Sequence, residues 1–278
     1  MRLKAKQQGV ALFMVLMITA IMAVIMIYMS SKGQNNARLT GLIKQNTDAV
    51  LELESAQAEM VFDYMTTSFG ILGPRRDFQG QPISNTMTQD FKGSVKEHEN
   101  FIVKVQDIGG LVSILPYNEK DFLNLLINNG LSTDLVPRIK DRLKDWQDAD
   151  NLTRIEGAEK GDYAEPNLPT NDTIQSVKEL EYIIEDNEIY SKIEPYLVLY
   201  SGDYIVRQYM PNSLYSALGL TVPDEQNASM EGSSYPSGRY KIEITFTKNL
   251  SITKSFTLLR GVDSFRPYFI TDDELIFQ

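Results

Sequence analysis

MRLKAKQQGVALFMVLMITAIMAVIMIYM, residues 1–29, decides how this 278-residue chain is organised. From Val10 to Met29 the only clearly polar residue before Tyr28 is Thr19. As a helix, at 1.5 Å per residue, that run rises about 30 Å, the thickness of the hydrocarbon core of a bilayer. Arg2, Lys4 and Lys6 precede it without an acid among them. The positive-inside rule then keeps the N-terminus cytoplasmic and sends the body across. A cleaved secretory signal fits poorly. The run exceeds the usual h-region of about 7–15 residues, and Ser30-Ser31-Lys32-Gly33-Gln34 offers no Ala-x-Ala site.

Gly9 stands between the basic head and Val10. A short basic leader, a glycine and then an apolar helix resembles the type IV prepilin signal. That resemblance implies a leader over residues 1–9, cut between Gly9 and Val10 by the prepilin peptidase, with the hydrophobic segment retained. The residues also admit a plain signal anchor with an incidental glycine. Prepilins usually carry glutamate at the fifth mature position, and here that position is Met14.

The helical pattern outlasts the membrane run. Leu39, Leu42, Ile43, Val50, Leu53, Met60, Val61 and Tyr64 recur at spacings of three, four and seven, with Lys44, Gln45, Glu52 and Glu54 between them. One helix over residues 10–68 is expected, in lipid over 10–29 and packed on a domain further along, with Gly33 as a candidate kink.

Beyond it the class reads as α+β. Tyr240, Ile242, Ile244 and Phe246 alternate with Lys241, Glu243, Thr245 and Thr247, the period of a strand with one wet face. Lys248-Asn249 reads as a turn and residues 252–259 as the return strand, while Phe101, Val103 and Val105 mark a strand far upstream. Four helices are expected between them. They are marked by Phe122 to Leu126, by Leu135, Ile139, Leu143 and Trp146, by Val177, Leu180, Ile183 and Ile184, and by Ile193 with Leu197. Residues 74–92 and 222–238 are rich in Gly, Pro, Ser, Asn and Gln and read as loops. A small antiparallel sheet over 69–112 and 236–278, interrupted by a helical insert over 113–235, follows.

Composition narrows the chemistry. There is no cysteine, and His98 is the only histidine, so thiolate metal sites, His triads and multi-His sites are excluded. Net charge is −10, and without the head 24 basic residues face 37 acidic ones. Nucleic acid is an unsuitable partner for such a surface, and cations are a natural one.

The acids gather in Asp145-Trp146-Gln147-Asp148-Ala149-Asp150-Asn151, followed by Glu156-Gly157-Ala158-Glu159-Lys160-Gly161-Asp162-Tyr163. Carboxylates in a glycine-bearing loop suit a hard cation with oxygen ligands. Asp148, Asp150 and Glu159 fall at EF-hand positions 1, 3 and 12, but Leu152 and Thr153 occupy places that need an acid or Asn and a Gly. On residues alone the stretch reads either as an irregular calcium loop or as a solvated acidic loop with Asp caps.

Together these pieces resemble the K-type minor pseudopilins of type II secretion systems (the general secretion pathway protein K family). The signature there is a helix ending in Asp-Trp-x-Asp-x-Asp, then Gly-Ala-Glu, an aromatic and Asn. It is met by Asp145, Trp146, Asp148, Asp150, Gly157, Ala158, Glu159, Tyr163 and Asn167. Asp107-Ile108-Gly109-Gly110, Val177-Lys178-Glu179-Leu180 and Ile193-Glu194-Pro195-Tyr196-Leu197 extend the likeness, and Met14 agrees with it, because the K type lacks the glutamate. The family's Asn-x-Asn-Thr-Ala motif is reduced here to Met210-Pro211-Asn212-Ser213, which leaves that turn without an assigned role.

The resemblance implies a pilin-like fold: a long N-terminal transmembrane helix, a small antiparallel sheet and a large all-helical insert. It implies a non-enzymatic subunit in the bacterial inner membrane, single-pass with a periplasmic body, at the tip of the pseudopilus. Its implied partners are the I-type and J-type minor pseudopilins and the major pseudopilin. Its implied role is to initiate assembly and to aid export of folded proteins across the outer membrane. It also implies structural calcium, held by Asp148, Asp150, Glu159 and Asp162, with Glu156 as a further candidate. Two other readings remain: a minor pilin of a type IV pilus, and an anchored periplasmic enzyme. Gly-x-Ser-x-Gly and the phosphate loop are both missing. Carboxylate-pair chemistry stays open, since 37 acids always offer pairs.

Overall fold

The computed structural model describes residues 5–74, 83, 85, 87–88, 90–223, 235–248, 251–261 and 265–277, with side chains from residue 10 onward. Residues 1–4 of the expected leader, much of both expected loops and Asn249 of the expected turn lie outside the described residues. The chain divides into two units, Met1–Glu54 and Ser55–Gln278.

Among the described residues the first unit is helix alone. Helix α1 (Ala5–Thr66) starts inside the expected leader and stays helical through Gly33. Ala5, Lys6, Gln7 and Gln8 are good helix formers, so only Gly9 resists that extension. An 18-residue window within it has a mean hydropathy of 3.0 and no buried residue. Leu39, Leu42 and Ile43, expected on a packing face, are exposed.

In the second unit the last turns of α1 bury Ala56, Met60, Val61 and Tyr64. The helix stops at Thr66, two residues short of the expected end, and a short α2 (Phe69–Leu72) follows. Strands β1 (Lys92–His98) and β2 (Phe101–Asp107) come next, then a 3-10 turn over Ile108–Gly110 and β3 (Val112–Leu115). Helices α3 (Glu119–Asn128), α4 (Val136–Gln147), α5 (Leu180–Ile184) and α6 (Asn187–Ile193) lead to β4 (Leu197–Leu199) and α7 (Asn212–Ala217). Strands β5 (Arg239–Phe246), β6 (Ile252–Arg260) and β7 (Tyr268–Phe277) follow. The class is α+β.

The main sheet has the order β1-β2-β5-β6-β7, antiparallel throughout. Its period-two pattern buries Val103, Val105, Ile242, Ile244, Phe256 and Leu258. On the wet face Lys104 meets its cross-strand neighbour Glu243 at 3.6 Å. Tyr240 packs edge-on against Tyr64, with ring centroids 5.2 Å apart, and Phe91 lies 4.8 Å from Tyr240 and 5.1 Å from Phe69. These rings join the end of α1 to the sheet.

The insert differs from the expectation in two places. It is not helical throughout, because β3 and β4 form a parallel pair with Val112 opposite Leu197. Ile193 ends α6 and Leu197 begins β4, so the expected fourth helix breaks between them. Pro195 is the physical reason: it cannot donate to an α-helical ladder and fits the first turn of the 3-10 segment Glu194–Tyr196. Around this pair Ile114, Phe122, Leu125, Leu126, Trp146, Ile183, Ile193 and Leu214 build a second core.

Asp107 ties the two cores together. Its buried carboxylate accepts the backbone N–H of Gly109 at 2.7 Å and of Ser237 at 2.7 Å. The carbonyl of Gly109 accepts Val206 N–H at 2.8 Å, and Gly110 lies so close to Tyr209 that an added Cβ would fall 2.1 Å from its carbonyl oxygen. Asp-Ile-Gly-Gly is thus a junction where backbones touch.

Candidate metal centre

Helix α4 supplies the first wall. Ile139, Leu143 and Trp146 face the core, and the helix ends at Gln147. Asp145, one turn back on that buried side, is fully buried, and Asp148 follows the last helical residue with extended backbone angles. The Trp146 indole N–H donates to Glu179 Oε2 at 2.8 Å. Glu179 Oε1 in turn accepts the N–H groups of Gln175 and Ser176. The Trp146 ring meets Tyr163 edge-on at 5.4 Å and stacks on Tyr182 at 6.0 Å. Three separate sequence pieces are brought together around one indole.

The returning loop supplies the second wall. Ala158 and Glu159 are buried. Gly157 must be glycine: an added Cβ would sit 1.8 Å from Asp145 Oδ2. Asp162 holds Glu159 by its backbone, with Glu159 N–H donating to Asp162 Oδ2 at 2.8 Å and Asp162 N–H to the Glu159 carbonyl at 2.9 Å.

One carboxylate oxygen from each of Asp145, Asp148 and Glu159 lies within 4.8 Å of the other two. Arg154 Nη1 bonds Asp145 Oδ1 and Asp148 Oδ2. Both Glu159 oxygens and Asp148 Oδ1 are buried without a hydrogen-bond partner. Burial pushes the Glu159 carboxyl above its usual range, the charges of Asp145, Asp148 and Asp150 push it further, and Arg154 pulls it back. A desolvated carboxylate with neither oxygen paired is costly by the rules of protein interiors, and oxygen-loving cations are bound by such groups. The donor set fits calcium.

The sequence-predicted set maps onto this cluster in part. Asp148 and Glu159 meet. Asp150 does not join them: it is exposed, and its Oδ1 accepts Leu152 N–H at 2.8 Å in a local turn. The resemblance implied Asp150 as a ligand, and its side chain instead caps this exposed turn. Asp162 is a backbone holder beside the cluster. Glu156 is exposed, and its N–H donates to Asp141 Oδ2 at 3.2 Å. Sequence reasoning missed Asp145 as a donor, although its i, i+3 spacing to Asp148 at a helix end was the available signal. Asn167 of the signature is exposed.

Residues 104–202 match the protein-family model described as type II secretion system (T2SS), protein K. The chain is 26% identical over 215 residues to the type II secretion system protein K of Pectobacterium carotovorum subsp. carotovorum. That alignment covers 70% of this chain and 63% of the relative, so it spans less than two thirds of the relative's length. In fold the chain resembles one in the crystal structure of the GspK–GspI–GspJ complex from the enterotoxigenic Escherichia coli type 2 secretion system. The TM-score is 0.51 at 13% identity, covering 86% of this chain and 99% of the other.

Proposed function

We propose that this chain, which belongs to the protein K family of type II secretion systems, is a membrane-anchored minor pseudopilin used at the tip of the pseudopilus. There it initiates assembly with I-type and J-type partners and aids export of folded proteins. The observation that carries the reading is the single helix α1, which takes an exposed apolar run of membrane-spanning length into a body bearing the protein K segment. The role is one of assembly and not of catalysis.

Met14 supports the tip position. In the prepilin reading an acid at the fifth mature position answers the free amine of a neighbouring subunit in a low-dielectric bundle. An unpaired charge there is costly. A subunit with Met14 leaves such an amine unanswered if it repeats, and leaves none unanswered if it is used once at the end. Cleavage between Gly9 and Val10 by the prepilin peptidase, insertion in the inner membrane and contact with the major pseudopilin belong to the same reading.

The test is quantitative mass spectrometry of sheared pseudopili. The expected result is scarcity relative to the major subunit, co-purification with two other minor subunits, and an intact mass that begins at Val10. Abundance equal to the major subunit sinks the tip assignment, and a start at Met1 sinks the processing.

The acidic cluster enters this reading as a structural calcium site. Asp145, Asp148 and Glu159 would hold the ion through carboxylate oxygens, and bound calcium would supply the positive charge that the buried Glu159 lacks. Asp162 fixes the Glu159 backbone, and Gly157 leaves room for the Asp145 carboxylate.

A further inference from the structure

The calcium reading names the carboxylates, and this step rests on it. Arg154 is the cation already among them. Its Nη1 reaches Asp145 Oδ1 and Asp148 Oδ2, two of the three clustered carboxylates, while its backbone N–H donates to Asp145 Oδ2 at 3.1 Å. It leaves the third untouched, because both Glu159 oxygens remain without a partner. One guanidinium answers one of three negative charges. The Arg154 side chain is 36% exposed, so it has a route out to water. Its neighbours in the loop do not pin it by packing: Leu152 is 76% and Ile155 97% exposed.

We propose that Arg154 is a built-in competitor for the metal. In the metal-free protein its guanidinium occupies the Asp145 and Asp148 oxygens, and a divalent cation binds as that group withdraws. Two cations cannot share the same oxygens without strong repulsion at low dielectric. The apparent affinity is therefore the intrinsic affinity reduced by the fraction of protein with the guanidinium out. Arg154 sets both the affinity of the site and the stability of its empty state. With the guanidinium seated, Asp145 and Asp148 have a counter-ion; with calcium bound, all three carboxylates do.

The experiment uses the full chain in detergent, stripped with chelator and titrated with calcium chloride by isothermal calorimetry, as wild type, R154Q and R154K. R154Q is expected to bind roughly tenfold more tightly, which corresponds to a guanidinium seated about nine-tenths of the time. R154K should fall between, since an ammonium keeps the charge but is a more strongly hydrated point charge on a more flexible stem. Without metal, R154Q should melt below the wild type, and calcium should close that gap. If the wild type binds and R154Q binds equally or more weakly, Arg154 is a supporting residue and the proposal is overturned. If R154Q does not stay folded when stripped, R154K decides: tighter binding than wild type supports competition, and equal or weaker binding overturns it. If none of the three proteins binds calcium, the metal reading itself has failed and the proposal falls with it.

Discussion

Two buried carboxylates in this chain live under opposite arrangements. Asp107, at the end of β2, accepts two backbone N–H groups at 2.7 Å and closes a junction between sheet and insert. Glu159 is nearly as buried, yet neither of its oxygens has a partner, and two further carboxylates stand beside it. Burial pushes both groups above the usual carboxylate range, but hydrogen bonds pull Asp107 back while neighbouring acids push Glu159 further. The first arrangement is complete in itself. The second is short of positive charge, with one guanidinium for three carboxylates, which is why it reads as a site and Asp107 reads as structure.

The largest effect should come from breaking the complete arrangement. Asp107→Ala strands the buried N–H of Gly109 and takes the partner from the N–H of Ser237, an exposed residue. The buried donor left unpaired costs about 1–3 kcal/mol and the lost bond from Ser237 to a charged group about 1.5–3, so a loss of about 3–4 kcal/mol is expected. Denaturant unfolding of the full chain in detergent, with calcium and with chelator, measures it. The loss should be the same in both. A loss that shrinks when calcium is added would mean that the two carboxylates are coupled and the contrast is false.

The incomplete arrangement should respond to metal instead. If calcium binds only the folded form, a hundredfold excess over Kd stabilises it by about 2.7 kcal/mol. Glu159→Gln should remove that gain. In chelator the same variant should match or exceed the wild type, by up to about 1 kcal/mol, because it takes a repelling charge out of a buried cluster. Opposite signs from one substitution mark a ligand. A Glu159→Gln protein that is less stable in chelator and still gains from calcium would show that the ion sits elsewhere.

The contrast also shows what was legible in the sequence. Strands β5 and β6 declare themselves because one face is wet, so Tyr240, Ile242 and Ile244 alternate with Lys241 and Glu243. Strand β7 does not: it is an exposed edge whose centre is Asp272-Asp273-Glu274, and exposure removes the burial that creates alternation. The parallel pair β3 and β4 is three or four residues long, too short to show a period. At the site, acids in a glycine-bearing loop announced Asp148 and Glu159. Asp145 was hidden as one more helical residue, and Arg154 carried no signal, because whether an arginine in a loop turns inward depends on which oxygens the fold brings to it.

The smallest effect, and the finest test of the contrast, is the pH dependence of the metal-free protein. Both Glu159 and Asp107 have folded-state pKa values raised above their unfolded values. The folded state therefore holds these protons longer than the unfolded state does. Their contribution to stability is then greatest below the unfolded carboxylate range, near pH 4, and falls as pH rises toward the folded-state values. Each group contributes a slope of at most about 1.4 kcal/mol per pH unit within that window. In chelator, Glu159→Gln should flatten the fall by the Glu159 share and leave the Asp107 share in place. Saturating calcium should do more than flatten the Glu159 share. A bound cation favours the charged form, so this group's pKa drops below the unfolded value and its contribution reverses, with stability rising as pH rises. Melting curves from pH 4 to 7, in chelator and in calcium, read both slopes. Equal slopes in the two conditions would mean that Glu159 never meets the metal, and it would then be a buried acid like Asp107.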